Sequence, residues 1–217
     1  MNVNNLIIIG ASGFGREVAW LTERINQVRS TWKILGFIDD NENIQGQMIN
    51  DYPVLGKTED AAAFPDACFV CAIGSAKVRE KVIGKLYDLN PDIRFATLID
   101  PSVIISDRVK IGEGTIICAH TIVTVNIEIG RHVIINLDCT IGHDAILDDF
   151  VTLYPSVNVS GITHIGRCSE LGTGMQIIQG KRIGNYAIMG AGSVVVRDMP
   201  DHCTAVGSPA KVIKYHE

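Results

Sequence analysis

Aromatic residues are scarce in this 217-residue sequence, at 6% against a hydrophobic content of 47%. That scarcity fits a core of stacked aliphatic side chains and argues against a large aromatic one. Positive charge is not in excess either. A formal net charge of −5 counts against a surface that grips nucleic-acid phosphates, since such a surface needs a basic face, but it leaves room for a local anion pocket. Long hydrophobic runs are missing. The first apolar stretch, Leu6 to Ile9, is far too short for a membrane span or a signal segment, and no basic segment precedes it; a cytoplasmic protein with no membrane span is expected. The six cysteines, Cys68, Cys71, Cys118, Cys139, Cys168 and Cys203, show no disulfide framework, and the single CxxC lies in an apolar strand-like run, so buried thiols are expected. The length suits two modest domains, each able to bury a core.

What the sequence has in quantity is a repeat. Stepping by six from Ile99 gives Ile105, Ile111, Ile117, Val123, Ile129 and Ile135, then Ile141, Leu147, Leu153, Val159, Ile165, Leu171, Ile177, Ile183, Met189 and Val195, all aliphatic. A period of six fits neither an amphipathic helix nor a long alternating strand, but suits a short strand and a turn, repeated. Glycine often follows the aliphatic residue, as at Gly112, Gly130, Gly142 and Gly172, where a corner requires positive φ or close backbone approach. Four residues after most aliphatic positions stands a small or β-branched residue, such as Thr115, Cys139, Val151 or Ser169, which should also point inward. With three hexads to a coil, about five complete coils stack, each burying its ladder only against its neighbours.

The leading segment reads differently. Residues 5–10 form a buried strand, and Gly10-Ala11-Ser12-Gly13-Phe14-Gly15 then matches GxGxxG at the entrance to a helix over residues 16–28. A second strand, residues 34–38, delivers Asp39 and Asp40 where a Rossmann-type domain places its ribose-reading carboxylate. A third strand over 68–73 ends at Gly74-Ser75 before a helix over about 78–89. The glycine motif is open to two readings, a tight turn packing strand on helix or a cradle for an anionic diphosphate. Strand context and carboxylates favour the second, and the domain, under ~100 residues, is too short for a two-halved dinucleotide fold, which points to a nucleotide sugar over NAD.

Chemistry is expected at Ile141-Gly142-His143-Asp144. There His143 projects from the coil surface, a neutral imidazole able to take a proton near pH 7, with a carboxylate beside it to orient the ring. The competing reading is an exposed histidine with a solvated aspartate. His120, His132 and His164 also fall in the repeat, but no HxxxxH or similarly close pair places two imidazoles on one ion, so no metal is expected and each reads as a surface or turn residue. Cys139 sits at an inward repeat position and Cys168 has no neighbouring histidine, so neither looks like an activated nucleophile.

The residues resemble the PglD/NeuD-like hexapeptide-repeat sugar acetyltransferases across nearly the whole chain, through Gly10 to Val18, Phe37 to Asp40, Ala72 to Gly74, the Ile141 to Asp144 corner and the closing Val206 to Val212. The resemblance implies an α/β Rossmann-like nucleotide-sugar domain, residues 1–96, followed by a left-handed parallel β-helix, residues 97–217, with a C-terminal extension. It also implies a homotrimer with active sites between subunits, using acetyl-CoA to acetylate the amine of a nucleotide-linked amino-dideoxysugar by direct transfer. His143 is then the general base, Asp144 its support, and Ser12, Gly13, Phe14, Asp39 and Asp40 the nucleotide-sugar contacts. Acetyl-CoA is expected near Thr173, Ala191 and Thr152. At Thr152 this sequence departs from members that carry a second histidine nine residues beyond the base. Two rivals stand beside this reading: O-acetylation of sialic acid or another glycan hydroxyl by the same base, and a non-catalytic nucleotide-sugar sensor on an oligomerising scaffold.

Overall fold

The computed structural model describes residues 3–216. Its first part is a six-stranded sheet built from β1 (Asn4–Ile9), β2 (Trp32–Ile38), β3 (Met48–Ile49), β4 (Tyr52–Gly56), β5 (Cys68–Cys71) and β6 (Arg94–Phe95), with α1 (Gly13–Val28) after β1 and α2 (Ala76–Leu89) after β5. The order is β3-β4-β2-β1-β5-β6. All pairs are parallel except the β3–β4 hairpin. Central β1 is covered on both faces, which is why its run Leu6-Ile7-Ile8-Ile9 is continuous and not alternating. From β1 and β5 the chain order proceeds outward in opposite directions, which leaves a crevice at their carboxyl ends. The β3–β4 hairpin was not expected from sequence: Met48–Ile49 is only two residues long and carries no alternation to read.

The second part is a left-handed parallel β-helix. Two-residue strands follow every six residues from Leu98–Ile99 to Val194–Val195, and those up to Gln176–Ile177 pair with the strand eighteen residues on, as Ile116 with Ile134 and Ile134 with Thr152. Three flat faces result. The first begins with Leu98–Ile99, the second with Ile104–Ile105 and the third with Lys110–Ile111. The ladder residues Ile117, Ile135, Leu153 and Leu171 are fully buried, and so are Thr115, Cys139, Val151 and Ser169 four positions after their own ladder residues.

The corners obey a rule finer than the sequence suggested. From Gly114 to Gly192 every sixth residue has positive φ, including His120, His132, Asp144, Phe150, Ile162 and Cys168. The glycines after the ladder do not. A Cβ on Gly112, Gly142 or Gly172 would lie 2.6 Å from a backbone nitrogen of the next coil, so close approach of stacked coils, not left-handed backbone, requires glycine there.

The α/β sheet and its helices dock on the first face. Leu6, Ile8, Val18 and Leu21 share one core with Leu98, Ile116 and Ile134, while Ile83, Leu86 and Phe95 share another with Phe150 and Cys168. A hairpin of Cys203–Val206 and Lys211–Tyr215 extends the first face beyond the last coil. Burial of Cys203, Ala205 and Ala210 closes the end of the aliphatic column.

Candidate active site

The crevice at the carboxyl ends of β1, β2 and β5 is a cavity of about 270 Å³, lined by Gly10, Ser12, Asp39, Asp40, Thr58 and Gly74 among others. Packing accounts for two glycines of the motif. Gly10 has φ +94, and a Cβ on Gly15 would meet the Gly10 carbonyl oxygen. Gly13 is different, with only the Arg16 guanidinium, at 3.9 Å, near a Cβ placed there. The start of α1 is therefore open toward solvent, as an anion site at a helix N-terminus requires. Phe14 turns away and packs half-buried against the sheet core.

The two carboxylates at the end of β2 are already committed in part. Asp39 accepts from the Ala11 N–H at 2.8 Å and from the Asn41 N–H at 2.9 Å, fixing the glycine loop to β2. Asp40 accepts from the Thr58 N–H at 2.7 Å. Burial works against ionisation of Asp40, but the Thr58 hydrogen bonds, with Lys85 and Lys57 nearby, outweigh it and hold its pKa below the usual carboxylate value. Each keeps acceptor capacity for a ligand's hydroxyl or N–H.

His143 and Asp144 stand at the corner between the second and third faces, both half-exposed. The left-handed conformation of Asp144, φ 59, turns its carboxylate back so that Oδ2 lies 2.8 Å from His143 Nδ1. Asn126, one coil earlier, donates to Asp144 Oδ1 at 3.3 Å. These two bonds lower the Asp144 pKa, that from His143 first. An ionised carboxylate on Nδ1 selects the tautomer with the proton there and leaves Nε2 with a free lone pair. The ring lies over Gly161, one coil later, where a Cβ would come within 2.6 Å of Nε2. Neither Asn126 nor Gly161 emerged from the sequence, although each is eighteen residues from the dyad, the coil spacing that three hexads imply.

The remaining expected residues lie elsewhere on the coil. Thr173 and Ala191 are exposed neighbours at the corner between the first and second faces, joined by the Gly192 N–H to Thr173 carbonyl bond of 2.8 Å. Thr152 is on the first face and 1% exposed. Its hydroxyl donates to the Gly74 carbonyl at 2.9 Å and accepts from Arg79 Nη2 at 2.9 Å, so its one proton is not free for a thioester. The dyad and Thr173 thus stand at two different corners of one β-helix, and the cavity lies on the docked α/β domain.

The other histidines are separated. His120 is an exposed turn residue at the first corner, and His164 faces Asp148 at 2.9 Å on the third face. His132 is a turn residue but no surface one: it is 2% exposed, stacked on Phe150 with ring centroids 5.2 Å apart. Among the described residues no group of three His, Cys, Asp or Glu side chains is placed to hold a metal, and no helix is long and apolar enough to cross a membrane. Burial pushes the Cys139 and Cys168 thiols up to about 12, which leaves neither an activated nucleophile.

Comparison with known proteins fits this geometry. The PglD N-terminal domain family matches residues 5–86. GDP-perosamine N-acetyltransferase of Escherichia coli O157:H7 is 30% identical over 215 residues, 95% of either chain. The chain belongs to the PglD-like hexapeptide-repeat sugar acetyltransferases. Like other PglD-like proteins it is an acyltransferase. Its fold superposes on the acetyltransferase domain of PglB from Neisseria gonorrhoeae FA1090 in complex with acetyl coenzyme A, with TM-score 0.89, 32% identity, and 98% of this chain and 100% of that one covered. It also superposes on a mutant perosamine N-acetyltransferase from Caulobacter crescentus in complex with CoA and GDP-perosamine, with TM-score 0.87, 28% identity and 98% of each chain covered.

Proposed function

We propose that this protein transfers the acetyl group of acetyl-CoA to the amine of a nucleotide-linked amino-dideoxysugar, with His143 as general base and no metal. The observation that carries the reading is the dyad, in which Asp144 holds Nδ1–H and Nε2 is left free over Gly161. The cavity at β1, β2 and β5 takes the nucleotide, with the open helix start at Ser12 and Gly13 toward the diphosphate and Asp39 and Asp40 toward hydroxyl or base N–H groups. In the reaction the amine nitrogen attacks the thioester carbonyl carbon, His143 Nε2 takes a proton from that nitrogen, and the carbon–sulfur bond breaks to release CoA, which recovers the proton from the imidazolium. Backbone N–H groups of a coil corner would stabilise the oxyanion.

Because the dyad and the exposed Thr173 and Ala191 lie at different corners of one β-helix, the site is assembled between copies. A homotrimer, with acetyl-CoA along the Thr173–Ala191 corner of one β-helix and the dyad supplied by another, accommodates all three. A cytoplasmic location follows from the two substrates. Incubation with acetyl-CoA and a panel of GDP-, UDP- and dTDP-linked amino sugars, read by free thiol release and product mass, tests the activity. Gain of one acetyl group, stable to mild base, on one amino sugar is expected; a base-labile ester on a hydroxyl sugar would overturn N-acetylation, and absence of acetyl-CoA binding would overturn the enzyme reading in favour of a sensor.

A further inference from the structure

Between the cavity and the β-helix lies a fully buried cation. Arg79, on the first turns of α2, is 0% exposed and has no carboxylate within ion-pair distance among the described residues. All its donors go to oxygens at the joint. Nε donates to the His132 carbonyl at 2.9 Å; Nη1 donates to the carbonyls of Ile73 at 2.7 Å and Gly74 at 3.1 Å; Nη2 donates to the Phe150 carbonyl at 2.7 Å and Thr152 Oγ1 at 2.9 Å. The Thr152 hydroxyl in turn donates to the Gly74 carbonyl at 2.9 Å. Both lone pairs of the Gly74 oxygen are thus filled from this one network.

The other side of the same loop is held as well. Glu170, one coil beyond Thr152, accepts from the Ala76 N–H at 2.8 Å and from Ser75 Oγ at 3.2 Å, and its second oxygen accepts from Tyr154 at 3.0 Å. Ile73 and Gly74 are walls of the nucleotide cavity. One cavity wall is therefore hydrogen-bonded to three successive coils, at His132, at Phe150 to Tyr154, and at Glu170.

Burying a guanidinium is costly, and apolar side chains of equal volume hold two surfaces together at least as well. Burial pulls Arg79 down to about 10, which still leaves it charged at neutral pH. What a planar fork with fixed donor directions provides, and an apolar contact does not, is a defined register between two bodies. We propose that Arg79 and Thr152 are positioning residues that set the cavity-wall loop of the α/β domain, residues 73–76, in register with the coils. This rests on the acetyl-transfer reading, in which an amine held by one body must meet an acetyl group held along the other, and a misplacement near 1 Å costs on the order of 10² in rate.

Thr152→Val removes the hydroxyl at constant shape, and Thr152→Ser restores it; Arg79→Lys keeps the charge and loses the fork. Each is assayed for kcat, KM for both substrates, binding of GDP, UDP and CoA, and amide hydrogen exchange over residues 73–79. Expected for Thr152→Val are an unchanged thermal midpoint, unchanged binding of nucleotide and CoA, faster exchange at residues 73–76, and a kcat lower by roughly 10- to 100-fold, recovered in Thr152→Ser. The Arg79→Lys/Thr152→Val double variant loses no more than the worse single variant, the mark of one network. A kcat for Thr152→Val within about twofold of the parent, a loss confined to KM for acetyl-CoA, or losses that multiply in the double variant would each overturn the proposal. If the parent protein acetylates no amine, the activity reading fails by itself, and exchange at residues 73–76 still decides whether Thr152 and Arg79 fix the loop.

Discussion

Two corners of the same β-helix have opposite surroundings. At the corner between the second and third faces, His143 and Asp144 stand half-exposed. At the corner between the third and first faces, α2 lies across the coils: Glu80 takes Arg167 at 2.7 Å, Arg167 also meets Asp149 at 3.2 Å, and His132 is sealed beneath. The repeat supplies both histidines in turns, but at adjacent positions: His132 takes the positive-φ place that Asp144 takes beside His143. What separates a candidate base from a structural ring is this offset together with whether a neighbouring element covers the corner. Covering costs His132 its partners, since neither ring nitrogen has a hydrogen bond, and burial pulls its pKa down to about 4. Leaving the other corner open allows Asp144 to stay ionised and Nε2 to stay reachable.

The sharpest way to test this contrast is to remove each ring in turn. His143→Asn is expected to lower kcat by ~10² to 10⁴ with an unchanged thermal midpoint, because the site is exposed; near-full activity would remove His143 as the base. His132→Phe is expected to do the reverse, leaving kcat alone and changing stability against pH. The folded-state pKa of about 4 lies below the ordinary 6.5, so the unfolded chain binds the proton first. Stability contributed by the neutral ring is full above about pH 6.5 and is lost as pH falls toward 4, by up to about 3 kcal/mol. Urea unfolding at pH 7 and pH 4.5 should show that acid loss in the parent and a flatter profile in His132→Phe.

Smaller effects sharpen the open corner. Gly161→Ala places a methyl against Nε2 and is expected to cost roughly thirtyfold in kcat by displacing the ring, with circular dichroism unchanged; no loss would mean that the ring works from another rotamer. Asp144→Asn is expected to lower kcat by roughly tenfold or less, since a carboxylate so exposed orients the ring in competition with water.

Much of the architecture could be read from the residues because one coil uses the same six positions three times. The ladder from Ile99 to Val195 and the small inward residues both stand where the period places them. The dyad was visible because a histidine and an aspartate occupy solvent-facing turn positions between the ladder residues Ile141 and Leu147. Three kinds of feature were hidden, each for a physical reason. Asn126 and Gly161 are far from the dyad in sequence and near it only because coils stack. The burial of His132 is decided by α2, which belongs to the other domain, and the repeat alone cannot register a cover. The engagement of Thr152 with Arg79 and Gly74 depends on how the two bodies dock. A hydroxyl on a β-strand face looks equally available until the opposing surface is known.

The eighteen-residue pairing of the coils, seen in Ile116 with Ile134 and Ile134 with Thr152, also governs which insertions the chain tolerates. Six extra residues between His143 and Thr173 would keep every ladder residue buried and every turn intact, yet would hand all later residues to the next face. Thr173 and Ala191 would move to the dyad's own corner, and Glu170 would leave the loop it now holds. A full eighteen would return each residue to its face, one coil farther along the column. For this molecule the coil, not the hexad, is therefore the smallest length change that keeps every residue on its own face.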